Sequence, residues 1–125
     1  MTLLDTLLND IPHAEHSTMH SIQLHLERLF NTRRGSLKHL PHYGLPDMNE
    51  IFQNLPDSTI ELINAIKYSI EHYEPRLNNV IIAQTKNKDG DGVINLVITA
   101  MMSNAQGINY LTFFLGDGHA IVKGR

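Results

Sequence analysis

Apolar residues recur at helical spacing through the first part of the chain and at strand spacing through the last part. Leu3, Leu4, Leu7, Leu8 and Ile11 form one stripe of a short amphipathic helix that ends at Pro12. This predicts an N-terminal arm over residues 1–16, which either packs on the domain or is offered to a partner's groove. Met19, Ile22, Leu26, Leu29 and Phe30 then repeat with a 3.6-residue period. They predict a second helix, capped by Ser17 or Ser21 and finished by Gly35. Pro46-Asp47 can start a helical turn from Asp47 to Gln53, with Met48, Ile51 and Phe52 facing inward. The longest helical pattern runs from Ser58 to Tyr73, where Ser58 and Glu61 have capping-box spacing and Ile60, Ile63, Ile66, Ile70 and Tyr73 make an apolar stripe. Pro75 stops it, because the residue before a proline is pushed out of the helical region.

From Asn79 the texture changes to β-branched runs broken by turn dipeptides. Val80–Thr85, Val93–Met102, Ile108–Leu115 and Ala120–Lys123 read as strands separated by Asp89-Gly90-Asp91-Gly92, Asn104-Ala105-Gln106-Gly107 and Asp117-Gly118. Helices first and strands last predict an α+β domain over residues 17–125, with N-terminal helices packed on a C-terminal antiparallel meander. If the last strand lies at an edge, its free N–H and C=O groups are either a template for another chain or are protected by Lys123 and Arg125.

Between the second and third helices, Phe30 to Met48 holds two arginines, two glycines, two prolines and a tyrosine. A compact domain makes such a connection in about two to eight residues. Leu37, Leu40, Tyr43, Leu45 and Met48 give this loop surface worth burying, so it is expected to be ordered.

At 125 residues and 42% hydrophobic, the chain suits one compact domain. A net charge of −3 provides no general field for phosphate backbones, and Arg33-Arg34 is too small a patch to supply one. With no cysteine, disulfides and thiolate chemistry are excluded. Neither a basic-then-apolar leader nor an apolar run near the ~18 residues of a membrane span is present, so a soluble protein without a cleaved signal is expected.

Candidate chemistry is sparse. His16 and His20 share a helix face, but with His13 and His25 they read as surface residues lacking a third ligand and a supporting shell. Asn87, Asp89, Asp91 and Gly92 imitate half of a calcium loop, yet the twelfth position is Ile98, so a polar hairpin turn explains them better. Glu27, Glu50 and Glu74 have no spacing that pairs them as glycosidase carboxyls. Glu74-Pro75-Arg76 differs, because Pro75 makes a rigid corner from which both charges project. Arg76 there can grip a partner's carboxylate or carbonyls, or it can compensate the end of its own helix.

Asn31-Thr32-Arg33-Arg34-Gly35, then Tyr43-Gly44-Leu45-Pro46-Asp47, then Glu74-Pro75-Arg76 ahead of a strand-rich half together resemble the baseplate wedge family of contractile injection machines. Within it they are most similar to the TssE subunits of bacterial type VI secretion, related to a T-even phage wedge protein once called a lysozyme. The resemblance implies a structural subunit of a cytoplasmic baseplate docked at the inner membrane. It implies no catalytic residues, cofactor, metal, nucleic acid or membrane insertion. Glu74, Pro75 and Arg76 match the turn that contacts the helical core of the wedge, and Arg33, Arg34 and Tyr43 are expected to brace the domain or that contact. Ile108 to Lys123 match strands that look like the sheath subunit's interlocking sheet and help seed it. The partners implied are TssF, TssG and TssK of the wedge and TssB and TssC of the sheath. An anti-adaptor resembling IraD shares the fold and the Glu-Pro-Arg turn, but the intact Asn-Thr-Arg-Arg and Tyr-Gly-Leu-Pro-Asp segments favour the wedge family. A peptidoglycan hydrolase is the third reading, with no catalytic pair matched.

Overall fold

The structure is a computed structural model that describes residues 18–85 and 93–124. The N-terminal arm, the turn at Asp89-Gly90-Asp91-Gly92, and Ser17, His13, His16 and Arg125 lie outside the described residues. Among the described residues three helices come first: α1 over residues 18–30, α2 over Met48–Gln53 and α3 over Ser58–Tyr73. Four strands follow: β1 Leu77–Gln84, β2 Ile94–Met102, β3 Gly107–Phe114 and β4 Ala120–Gly124. They form an antiparallel sheet in the order β1-β2-β3-β4, so the fold is the expected α+β meander.

Strand alternation decides which face is buried. Along β2 every second residue, from Ile94 through Leu96, Ile98 and Ala100 to Met102, is buried, and β3 adds Ile108, Tyr110 and Phe114. These residues join Ile22, Leu26, Leu29 and Phe30 of α1 and Leu62, Ile66 and Ile70 of α3 in one cluster, so the helices cover one face of the sheet. Each such aliphatic side chain removed from water contributes about 1.5–3 kcal/mol.

The helix α3 spans the predicted residues, and of its predicted stripe Ile66 and Ile70 are buried and Ile63 and Tyr73 pack against the core, but the inward face is rotated away from Ile60. Ile60 is 69% exposed, while Leu62, Ala65, Ser69 and Thr59 are buried beside Ile66 and Ile70. Only the first residue of the stripe, Ile60, falls outside the packed side. The Ser58–Glu61 capping box also does not form. Asp57 occupies the cap position without a side-chain bond, and the Ser58 hydroxyl instead donates to the Ile51 carbonyl of α2. The first strand starts at Leu77, three residues before the expected Val80, because Leu77 and Asn78 already pair with Met102 and Met101; a bulge follows, where Asn79 takes a left-handed backbone (φ 51) and the register shifts between Asn78 and Ile81.

The long loop after α1 is ordered by backbone bonds. Leu45 N–H donates to the Thr32 carbonyl at 2.9 Å and Arg34 N–H to the Leu45 carbonyl at 2.8 Å, giving a parallel bridge between Arg33 and Leu45. Gly44 makes this approach possible. Its φ is +111, and a Cβ there would sit 2.3 Å from the Thr32 carbonyl oxygen. The buried Ser69 hydroxyl of α3 donates to the Gly44 carbonyl at 3.2 Å, pinning the loop from beneath. Tyr43, Leu45 and Met48 are buried and Leu37 packs against the core, but Leu40 is exposed.

The edge of β4 is not free, contrary to the template expected there. Asn31 Nδ2 donates to the Ala120 carbonyl at 2.9 Å, and Asn31 Oδ1 accepts from Ala120 N–H at 2.8 Å. Val122 N–H donates to Glu27 Oε2 at 3.1 Å, and Gln23 Nε2 donates to the Val122 carbonyl at 2.9 Å. Gln23 and Glu27 of α1 and Asn31 just past its end therefore stand in for a fifth strand. Lys123 does not protect this edge; its Nζ lies over the Phe113 ring, 5.7 Å from the centroid.

Candidate protein-interaction site

Pro75 supplies no N–H to continue α3, so the chain leaves the helix at Glu74, whose own N–H still bonds the Ile70 carbonyl at 2.9 Å. At that corner Glu74 takes a non-helical conformation (φ −128, ψ 80) and turns its carboxylate inward, where it is 1% exposed. A buried carboxylate is costly unless its lone pairs are used. Four donors use them. Arg76 Nε donates to Oε1 at 2.7 Å and Nη2 to Oε2 at 2.8 Å, a side-on bidentate pair. Arg76 N–H adds a bond to Oε1 at 3.2 Å, and His25 Nδ1 of α1 donates to Oε2 at 2.7 Å.

The electrostatics follow from this geometry. Burial works to raise the Glu74 pKa, but the bonds from the Arg76 side chain, His25 and the Arg76 backbone outweigh it and hold the carboxyl below the usual range. The bond to Glu74 pushes the Arg76 guanidinium upward. Tyr110 lies beneath the pair, donating its hydroxyl to the Met19 carbonyl at 2.7 Å; burial, reinforced by the Glu74 charge, drives its pKa upward.

Arg76 reaches out of this arrangement. Its side chain is 40% exposed, and Nη1 donates to Ser21 Oγ at 3.0 Å. A guanidinium carries five N–H donors, so one on each terminal nitrogen is left over after the bonds to Glu74 and Ser21. Beside it lies a surface groove of about 470 Å³ lined by His20, Ser21, Leu24, His25, Arg28 and Arg76. Leu24 is 51% exposed on this side of α1.

The predicted site residues therefore divide. Tyr43 joins the Glu74 corner, with its ring 5.0 Å from Tyr73 in an edge arrangement and stacked at 6.3 Å on His25. Burial raises its pKa, opposed by Arg28 and helped by Glu74. Arg33 and Arg34 are exposed on the loop bridge instead. Arg33 borders a separate depression of about 160 Å³ together with Asp47 and Asp117. His25 is not the surface histidine the sequence suggested but the second side-chain donor to Glu74. Ser21, a candidate helix cap by sequence, instead accepts from Arg76 Nη1. Their positions one turn apart on α1, on the flank next to its apolar stripe, were the signal available, but nothing local connects them to a carboxylate 49 residues downstream.

Helices on one face of a four-stranded meander, with a Glu-Pro-Arg corner between helix and sheet, make up the fold to be placed. A family profile described as "Baseplate wedge protein gp25" matches residues 16–106, and the chain belongs to that family. A solved structure titled "The baseplate complex from the type VI secretion system" contains a chain of the same fold, with a TM-score of 0.64 at 24% identity. The alignment covers 81% of this chain and 97% of that one. No curated protein matches.

Proposed function

We propose that this chain is a non-enzymatic, TssE-like wedge subunit of a type VI secretion baseplate. In this reading it binds TssF, TssG and TssK and helps start the sheath of TssB and TssC, on the cytoplasmic side of the inner membrane. The observation that carries the reading is the Glu74–Arg76 pair. Glu74 is too deep to touch a partner, so it acts by fixing Arg76, whose exposed guanidinium lines the groove. A fixed guanidinium loses less side-chain freedom on binding than a mobile one. With Arg28 beside it and Leu24 between turns, the groove complements an acidic protein segment that carries an apolar residue.

The lowered Glu74 pKa also favours a binding role over hydrolysis, because a glycosidase acid needs a raised one. Glu27 is occupied by the β4 edge. Tyr43 braces the corner in this account. Co-purification with TssF and TssG tests the reading. Wild type is expected in the complex, and Arg76→Ala is expected to lose about thirtyfold or more in affinity, since truncating a buried charged contact costs about 2–5 kcal/mol. Clearing of purified cell wall, abolished by a single Glu substitution, would overturn it.

A further inference from the structure

Among the described residues the helices cover one face of the sheet, and the ladder shows what lies on the other. Alternation along β2 turns Ile94, Leu96 and Ile98 to the helices, so Val97 and Met101 point the opposite way. Directly paired residues of neighbouring strands share a face. Leu111 therefore stands beside Val97, Phe113 beside Asn95 and Ile121, and Ile81 opposite Thr99, all on the outer side.

An antiparallel sheet with one face in water ordinarily sets polar side chains at its outward positions. This outer face is apolar instead. Ile81 is 65% exposed, Val97, Met101, Leu111 and Ile121 are partly buried, and Phe113 is sunk among them with the Lys123 ammonium 5.7 Å from its ring centroid. A contiguous apolar patch on a protein surface marks a place where another element packs. Among the described strand residues on this side, Lys123 is the charged one.

We propose that the outer face of the sheet is the docking site of this chain's own N-terminal arm, with the apolar stripe of residues 3–11 laid across Leu111, Phe113 and Ile121. A helix of that length is marginal in water by itself, so its stripe needs a surface to pack on. The tether reaches this one. The Met19 carbonyl accepts from Tyr110, which pairs with Gly124, and Gln23 bonds the Val122 carbonyl, so α1 begins beside the last residues of β4. Residues 12–17 span about 20 Å when extended, at about 3.3–3.6 Å each. Rounding the end of β4 then brings the arm over Ile121 on that strand and over Leu111 and Phe113 on the next, about 4.8 Å further in. The charges agree, because residues 1–17 hold Asp5, Asp10 and Glu15 without a lysine or arginine, and the face holds Lys123. The Arg76 groove is the poorer fit, since Leu24 is the apolar side chain lining it and the arm brings a whole row of aliphatics. The assignment does not depend on the baseplate reading.

The chain has no cysteine, so Thr6→Cys, on the polar side of the stripe, lets one nitroxide be attached to the full chain at a single place. In NMR spectra of that chain, the signals of Val97, Leu111 and Ile121 are expected to be broadened by the nitroxide and to recover when it is reduced, whereas those of Leu24, Ile60 and Tyr68 on the helices stay sharp in both states. Adding Leu7→Asp to the labelled chain is expected to abolish the broadening, because a carboxylate then faces the apolar sheet. This second substitution touches no residue of the helix-side core, so loss of the fold does not obscure the result.

Broadening at Ser21, Leu24 and Arg76 in place of the sheet would put the arm in the Arg76 groove and overturn the proposal. Broadening confined to the first turn of α1 would leave the outer face bare and overturn it as well. An isotope-labelled chain without nitroxide, mixed with a nitroxide-bearing chain without isotope, separates the remaining case: broadening of its sheet signals would give the face to the arm of a second copy. Each of these results leaves the baseplate reading untouched, since that reading stands or falls on co-purification with TssF and TssG.

Discussion

Replacing Glu74 by glutamine keeps the shape of the side chain and removes its charge. The amide retains one oxygen for Arg76, but its NH2 group stands where Oε2 accepted from Arg76 Nη2 at 2.8 Å and from His25 at 2.7 Å. Donors then face donors inside a site that is 1% exposed. Hydrogen bonds to charged groups contribute about 1.5–3 kcal/mol each and breaking a buried pair costs about 3–5, so the expected destabilisation is about 3 kcal/mol. With an unfolding entropy of about 2.1 cal/mol/K per residue over 125 residues, that is a drop in Tm of about 11 °C.

The pH dependence gives an independent readout. The folded-state pKa of Glu74 lies below its unfolded value, so as pH falls the unfolded chain takes up the proton first. The stabilisation is fully present above the unfolded value of about 4.3 and is lost as pH falls through the depressed folded value. Thermal melts from neutral to acid pH should therefore show the gap between wild type and Glu74→Gln closing in the acid range. A drop below about 2 °C at neutral pH, or a gap independent of pH, would refute the reasoning that the buried carboxylate holds the corner.

Gly44→Ala should destabilise by about 3 kcal/mol or more, because its Cβ would meet the Thr32 carbonyl at 2.3 Å and backbone cannot yield; a melt within about 1 kcal/mol of wild type would show that the bridge is dispensable. Leu62→Ala should cost about 2–5 kcal/mol, whereas Ile60→Lys should stay within about 0.5, as chemical denaturation can check. Tyr110→Phe, which removes the bond to the Met19 carbonyl, should cost about 1 kcal/mol by the same measurement.

The layout of helices and strands was readable because its signals are local. The glycine and asparagine turns separated the strands, Pro75 ended α3 where expected, and apolar residues inside the Phe30–Met48 loop announced its order. What depended on tertiary partners was not readable. The isoleucine stripe of α3 marked most of its inner face, but Ile60 turned outward and Ser69 turned in to the Gly44 carbonyl. Glu74-Pro75-Arg76 could be singled out from its rigid corner, but whether the carboxylate pointed out or in depended on His25 and Ser21. Gln23, Glu27 and Asn31, spaced by four along α1 and just past its end, carried a signal that was missed: three hydrogen-bonding side chains in one row beside a buried stripe suit a backbone edge. Their partner lies about ninety residues away in sequence, where no periodicity reaches.

The most direct test of the account is the dissociation constant between the purified chain and a TssF–TssG complex, measured for wild type and for Arg76→Ala. Tight binding by wild type that weakens about thirtyfold or more in a folded Arg76→Ala is the predicted result. No binding by wild type, or equal binding by the two, would contradict a wedge subunit that docks through Arg76.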